Sequence, residues 1–140
     1  MAFRTLAIFA LGCALAAPGL AQTRPNEARD MMRAMGFKPM SGAKLAKAIA
    51  GAERSPLGSK ANPVRENMPK GEYAYLGRLR CPDGAKPAVA RDGNVGLGVY
   101  RNIVDLFTLT CPGAAPVKVY MDMYHDGPEN RPVPGFTIVP

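Results

Sequence analysis

Two cysteines sit at equivalent places in this chain, and their pairing constrains the fold more than any other feature. Leu79-Arg80-Cys81-Pro82-Asp83-Gly84 and Leu109-Thr110-Cys111-Pro112-Gly113 each close an alternating apolar segment with Cys, Pro and a glycine turn. A Cys81–Cys111 disulfide is expected to pin the ends of those two segments together, the alternative being a free reactive thiol or a metal thiolate. Closing the loop between them stabilises a small domain by roughly 3 to 4 kcal/mol. No CxxC spacing points to redox chemistry. Such pairing needs an oxidising compartment, and the start of the chain reads as the address for one.

Arg4 supplies a positive n-region, Thr5 to Ala17 an apolar stretch, and Gly19-Leu20-Ala21 the small residues that a signal peptidase requires. Residues 1–21 are therefore expected to be a signal peptide, with the mature chain starting at Gln22 and a periplasmic or secreted location. The third cysteine, Cys13, lies in Ala10-Leu11-Gly12-Cys13, which resembles a lipoprotein box. A lipoprotein anchored through Cys13 is the alternative. No later segment approaches about 18 consecutive apolar residues, so no transmembrane span is expected in the mature chain.

After the leader, apolar residues recur first with helical and then with strand spacing. Asn26 is placed to cap a helix whose Ala28, Met31, Met32 and Met35 share one face, with Gly36 as its stop. A second helix starts near Ser41, presents Leu45, Ala48, Ile49 and Ala52, and ends at Ser55-Pro56. Leu57 to Lys70, broken by Gly58, Pro63 and Pro69, reads as an extended surface connector. Alternation then predicts strands over 72–81, 102–111 and 117–125, with Phe136 to Val139 as an edge strand and Gly93 to Gly98 as a flexible loop. Asp105 falls on an otherwise apolar strand face and must be paired; Arg101 is the nearest cation in sequence.

The expected fold class is α+β: two N-terminal amphipathic helices followed by a small antiparallel β-sheet or sandwich with one disulfide. The expected division is a basic helical segment over 22–56 and a disulfide-clamped β domain over 57–140. Charge divides in a similar place. Of the formal net charge of +7, residues 22–70 carry ten Lys and Arg against four acids, whereas residues 71–140 carry seven of each. Such a segment suits an anionic envelope component, such as a phospholipid headgroup or an acidic polymer, or another envelope protein. Nucleic acid is not an expected partner, since export separates the two and no aromatics interleave with the basic residues.

Several strings from Leu57 onward, namely Leu57-Gly58-Ser59-Lys60-Ala61-Asn62-Pro63-Val64-Arg65, Arg78-Leu79-Arg80-Cys81, Met121-Asp122-Met123-Tyr124-His125 and Pro134-Gly135-Phe136-Thr137-Ile138, resemble small exported bacterial proteins of an uncharacterised family. The resemblance covers residues 57–140 and implies no catalytic or binding residue.

Chemistry is thinly supplied. The chain has one histidine, His125, and three serines, Ser41, Ser55 and Ser59. Gly93 to Gly98 has the order GxxGxG rather than the dinucleotide-binding GxGxxG. No enzyme activity and no cofactor are expected. The sharpest motif is Met121, Met123 and His125, which in a strand would share one face and offer soft ligands to Cu(I) or Ag(I). Asp122, Asp126 and Glu129 offer oxygen ligands to a hard cation, without the spacing of an EF-hand. A third surface, with Arg78, Arg80, Tyr120 and Tyr124 on one sheet face, would bind a polar or acidic ligand. The sequence thus points first to an exported, non-enzymatic binding or structural accessory protein, and second to a periplasmic soft-metal binder.

Overall fold

The computed structural model describes residues 27–140; the leader, Cys13 and the Asn26 cap lie outside the described residues. Helix α1 spans Glu27–Ala34 and buries Ala28 and Met32, while Met31 and Met35 stay exposed. Helix α2, Gly42–Ala52, buries Leu45 and Ala52, which fall seven residues and two helical turns apart. Strand β1 is Val64–Arg65, helix α3 Met68–Arg78 and strand β2 Leu79–Arg80. Strands β3 (Ala88–Leu97), β4 (Ile103–Thr110), β5 (Val117–Asp122) and β6 (Thr137–Ile138) follow. No helix among the described residues is long and apolar enough to cross a membrane.

The main sheet has the order β1-β5-β4-β3, with a separate two-stranded sheet of β2 and β6. The fold is α+β, but its main sheet is mixed rather than antiparallel, because β1 runs parallel to β5, Val64 beside Met121 and Arg65 beside Asp122. Residues 57–70 are accordingly not a surface connector. Asn62, Pro63, Val64 and Glu66 are all buried. The turn before β1 depends on Gly58, whose φ of +83° suits glycine and whose added Cβ would meet Val133 Cγ1 at 2.6 Å. The Gly58 amide donates to Asn62 O and its carbonyl accepts from Tyr120 N, both at 2.8 Å, so the turn is sewn to β5.

The strand expected over 72–81 is largely helix. Tyr73, Tyr75, Gly77 and Leu79 alternate, yet the buried residues Glu72, Tyr75 and Leu76 have the i, i+3, i+4 spacing of a helix face, and Pro69 stands in the first turn. Only Leu79–Arg80 is extended. Gly71 lets this helix come close to Glu66, since a Cβ there would lie 2.9 Å from Glu66 Oε2.

The loop expected over 93–98 is instead the second half of β3, which pairs with β4 across two register shifts, between Arg91 and Gly93 and between Asn94 and Leu97. The strand expected over 117–125 stops at Asp122. Register places Asp105, Phe107 and Leu109 opposite Met121, Val119 and Val117 on one sheet face. That face meets α3 in a core of Val64, Tyr75, Leu76, Leu79, Phe107, Leu109, Val119 and Met121, among others.

Cys81 and Cys111 are bonded, with Cα atoms 5.8 Å apart across a sequence separation of 30. The bridge joins the residue after β2 to the residue after β4, so it ties the small sheet to the large one. Replacing both cysteines by alanine is predicted to lower unfolding free energy by about 3 to 4 kcal/mol in urea titrations, with secondary structure kept at low denaturant.

Candidate functional site: a partly buried charge network and an exposed hairpin

Arg65 lies on the sheet face opposite the α3 core, as its strand alternation from Val64 requires. One Arg65 nitrogen donates to Asn62 Oδ1 at 2.9 Å and Tyr100 Oη at 3.1 Å, the other to Glu53 Oε1 at 2.8 Å and Glu129 Oε2 at 3.2 Å. Arg131 completes the cluster, reaching Glu53 Oε2 at 2.7 Å and Glu129 Oε2 at 2.8 Å. Two guanidinium groups and two carboxylates thus link the end of α2, β1, the turn before β4 and the loop after β5. The Arg131 hydrogen bond is the main cause that pulls Glu53 down to about 2. Burial alone would raise Glu129, but Arg131 and Arg65 hold it below the usual carboxylate range.

Asp122, at the end of β5, is fully buried and accepts from Asn102 Nδ2 at 3.1 and 3.0 Å and from Tyr124 N at 3.0 Å. His125 Nε2 stands 3.2 Å from Asp122 Oδ2 but has no aligned hydrogen-bond partner. The His125 ring meets Tyr100 edge to face at 5.1 Å. On the other face, Asp105 is held by Arg91, with contacts of 3.0, 2.9 and 2.8 Å. Its partner is Arg91 on the neighbouring strand, not Arg101, because cross-strand register brings residues together that sequence separates.

Glu66 and Glu72 are both buried. Burial pushes Glu66 up to about 7, opposed by the hydrogen bond its Oε1 accepts from Glu129 N at 3.0 Å. Burial, helped by the charge of Asp105, pushes Glu72 up to about 8, and its Oε1 has no partner.

The soft-ligand trio does not converge. Met121 is in the main core, Met123 packs against the small cluster of Ala28, Met32 and Tyr124, and His125 lies by Asp122 and Tyr100. Ending β5 at Asp122 removes the shared face that alternation to residue 125 would have made. Nor do Arg78, Arg80, Tyr120 and Tyr124 share a sheet face. Arg78 is on α3 and bonds Glu129 O and Asn130 Oδ1; Arg80 is on β2 and bonds Gly77 O and Leu79 O. Tyr120 is half-buried on β5, and Tyr124 is buried against α1. Of the hard-cation set, Asp126 pairs with Arg29 and Glu129 with Arg65 and Arg131. Among the described residues no group of three or more His, Cys, Asp or Glu is placed to hold a metal ion. The residues that do assemble, Glu53, Arg65, Glu129 and Arg131, carry no motif, and Arg65 lies in what the sequence presents as a connector.

A shallow cavity of about 190 Å³ is lined mainly by Pro56, Leu57, Val117, Val119, Val133 and Pro134. What the molecule turns outward is β3, exposed along nearly its whole length, with Val89, Val95 and Leu97 exposed on it and Val99 exposed just beyond its end. Its charges are tied to neighbouring strands, Arg91 to Asp105 and Asp92 to Lys118 and Thr108. No protein-family model, curated protein or solved structure matches this chain.

The two raised carboxyls set a pH dependence. An unfolded glutamate loses its proton near 4.5, whereas folded Glu72 keeps it to about 8, so the folded state holds more protons in that window and stability falls as pH rises through it. Glu72→Gln, which cannot ionise, is predicted to flatten most of the fall in melting temperature between about pH 5 and pH 8. Melting curves across that range check it, and an unchanged slope would assign the titration to other groups.

Proposed function

We propose that this chain is an exported, non-enzymatic binding module of the cell envelope that makes its contacts through the β3–β4 hairpin. The observation that carries the reading is β3 itself. It is an edge strand of ten residues, exposed at nine of them, with apolar side chains turned outward. Edge strands offer unpaired backbone groups and apolar area to a partner, and charged side chains and bulges blunt them; β3 carries two register shifts but keeps Val89, Val95 and Leu97 outward. Here the strand's Arg and Asp are neutralised in cis.

The leader-like segment and the bridged cysteines support an oxidising compartment, with the periplasm as the expected one. Support for a non-enzymatic role comes from how the ionisable groups are used. Asp122 is bonded by Asn102, and Arg65, Glu53 and Glu129 are paired with one another, rather than set around a common cleft. A Cu(I) or Ag(I) site built on Met121, Met123 and His125 would require these side chains to leave three separate surroundings, and it ranks below the binding module.

Photo-crosslinking in the exporting cell tests the proposal. A photoreactive residue at Val95 is expected to yield a discrete adduct, whereas one at exposed Lys60, in the turn before β1, yields none. Adducts from neither position, or equally from both, would contradict a hairpin contact surface.

A further inference from the structure

The hairpin between β3 and β4 ends beside the turn that follows α1. Phe37, Lys38, Leu97 and Arg101, with Gly36, line one shallow cavity of about 260 Å³. Met40 N donates to Tyr100 O at 3.2 Å and fixes the two segments together. Met35 and Val99 flank this cavity in sequence and are both exposed, and Leu97 is the most exposed large apolar side chain among the described residues, at 57%. This end of the molecule therefore presents apolar side chains with two cations among them. Neither Lys38 nor Arg101 takes part in an ion pair among the described residues. Arg91 and Lys118, by contrast, are neutralised by acids on adjacent strands.

The tip is also held in place. Tyr100 is fully buried between Leu45, Ala52, His125 and Arg65, so the residues on either side of it, Val99 and Arg101, are turned outward from a fixed anchor. Arg101 has a φ of +64°, a left-handed conformation that glycine adopts without strain and an arginine does not. A strained arginine is thus kept at the point of the hairpin.

Resting on the proposed hairpin contact surface, we infer that its occupant is an anionic lipid bilayer, with exposed Met35, Leu97 and Val99 entering the interface and Lys38 and Arg101 at the level of the headgroup phosphates, while Phe37 packs inward against Ala28, Met32 and Tyr124. Exposed apolar side chains set among unpaired basic ones match a surface that is apolar beneath and negative above, and the two contributions act together. A protein partner strand would use the backbone edge of β3 and would gain little from Lys38, which lies off the strand.

The test uses the oxidised protein purified from the exporting cell. Cosedimentation with vesicles containing phosphatidylglycerol is compared with vesicles of phosphatidylcholine alone. Binding to the anionic vesicles is expected, weakened by salt. Lys38→Ala and Arg101→Gly are each expected to weaken it about fivefold, and Leu97→Gln about tenfold. Arg101→Gly should leave the melting temperature unchanged or raise it, because glycine accepts that backbone conformation, which separates lost binding from lost folding. Absence of binding to anionic vesicles, or variants that bind like the parent, overturns the inference. If that happens while Val95 still crosslinks to a protein, the hairpin remains the contact surface and the bilayer is wrong; if Val95 also gives no adduct, both fall.

Discussion

Arg65 is the residue on which the arrangement of this molecule depends. Its strand is only two residues long, yet its guanidinium contacts the end of α2 through Glu53, the hairpin turn through Tyr100, the preceding turn through Asn62 and the loop after β5 through Glu129. Drawing a cation partly out of water is costly unless its donors find partners, and here exposed Arg131 balances the second of two carboxylates so that the cluster is neutral. The weak point of such a device is its dependence on each member. Loss of Arg65 would leave the Tyr100 hydroxyl and Asn62 Oδ1 without the hydrogen bonds they accept, and Glu53 and Glu129 with a single guanidinium between them.

The two sheet faces divide the work. On the α3 side, apolar burial dominates, with Glu66 and Glu72, whose pKa values burial raises, and Asp105, paired by Arg91, as the exceptions. On the other side, Asp122, Asn102, His125, Tyr100 and the arginine cluster form a polar layer under α2. Tyr100 connects this layer to the outside, since it anchors the turn whose neighbours Leu97, Val99 and Arg101 are exposed. Charge inside the molecule positions the hairpin, and side chains outside it are left to make contacts. A surface positioned in advance loses less conformational freedom on binding than a mobile loop does.

Much of the β-sheet could be read from the chain, and most of the polar layer could not. Strand β4 and the apolar face of β5 follow from alternation, and the Cys81–Cys111 bridge from two matching Cys-Pro-turn segments. Residues 72–81 satisfy two periods at once. Tyr73 and Tyr75 favour a strand, Glu72, Tyr75 and Leu76 a helix, and only packing against Phe107 and Val119 decides for the helix. Strand β1 is hidden because two residues carry no period, and its place beside β5 is fixed by the Gly58 turn. Asp105 signals that a partner exists but not which one. Register supplies Arg91, fourteen residues away. The Met121, Met123 and His125 pattern dissolves for the opposite reason, since a strand that ends three residues early no longer keeps its alternate side chains on one face.

Native-state hydrogen exchange on Arg65→Met tests the central claim that one guanidinium holds separate elements in a single arrangement. Joint loss of protection at Glu53 in the cap of α2, at Gly98 and Arg101 in the hairpin turn, and at Glu129 is the predicted result, because amide hydrogen bonds at all of these sites rest on segments that Arg65 ties together. Loss confined to residues 62–66, with the hairpin turn and Glu129 as protected as in the parent, would contradict it.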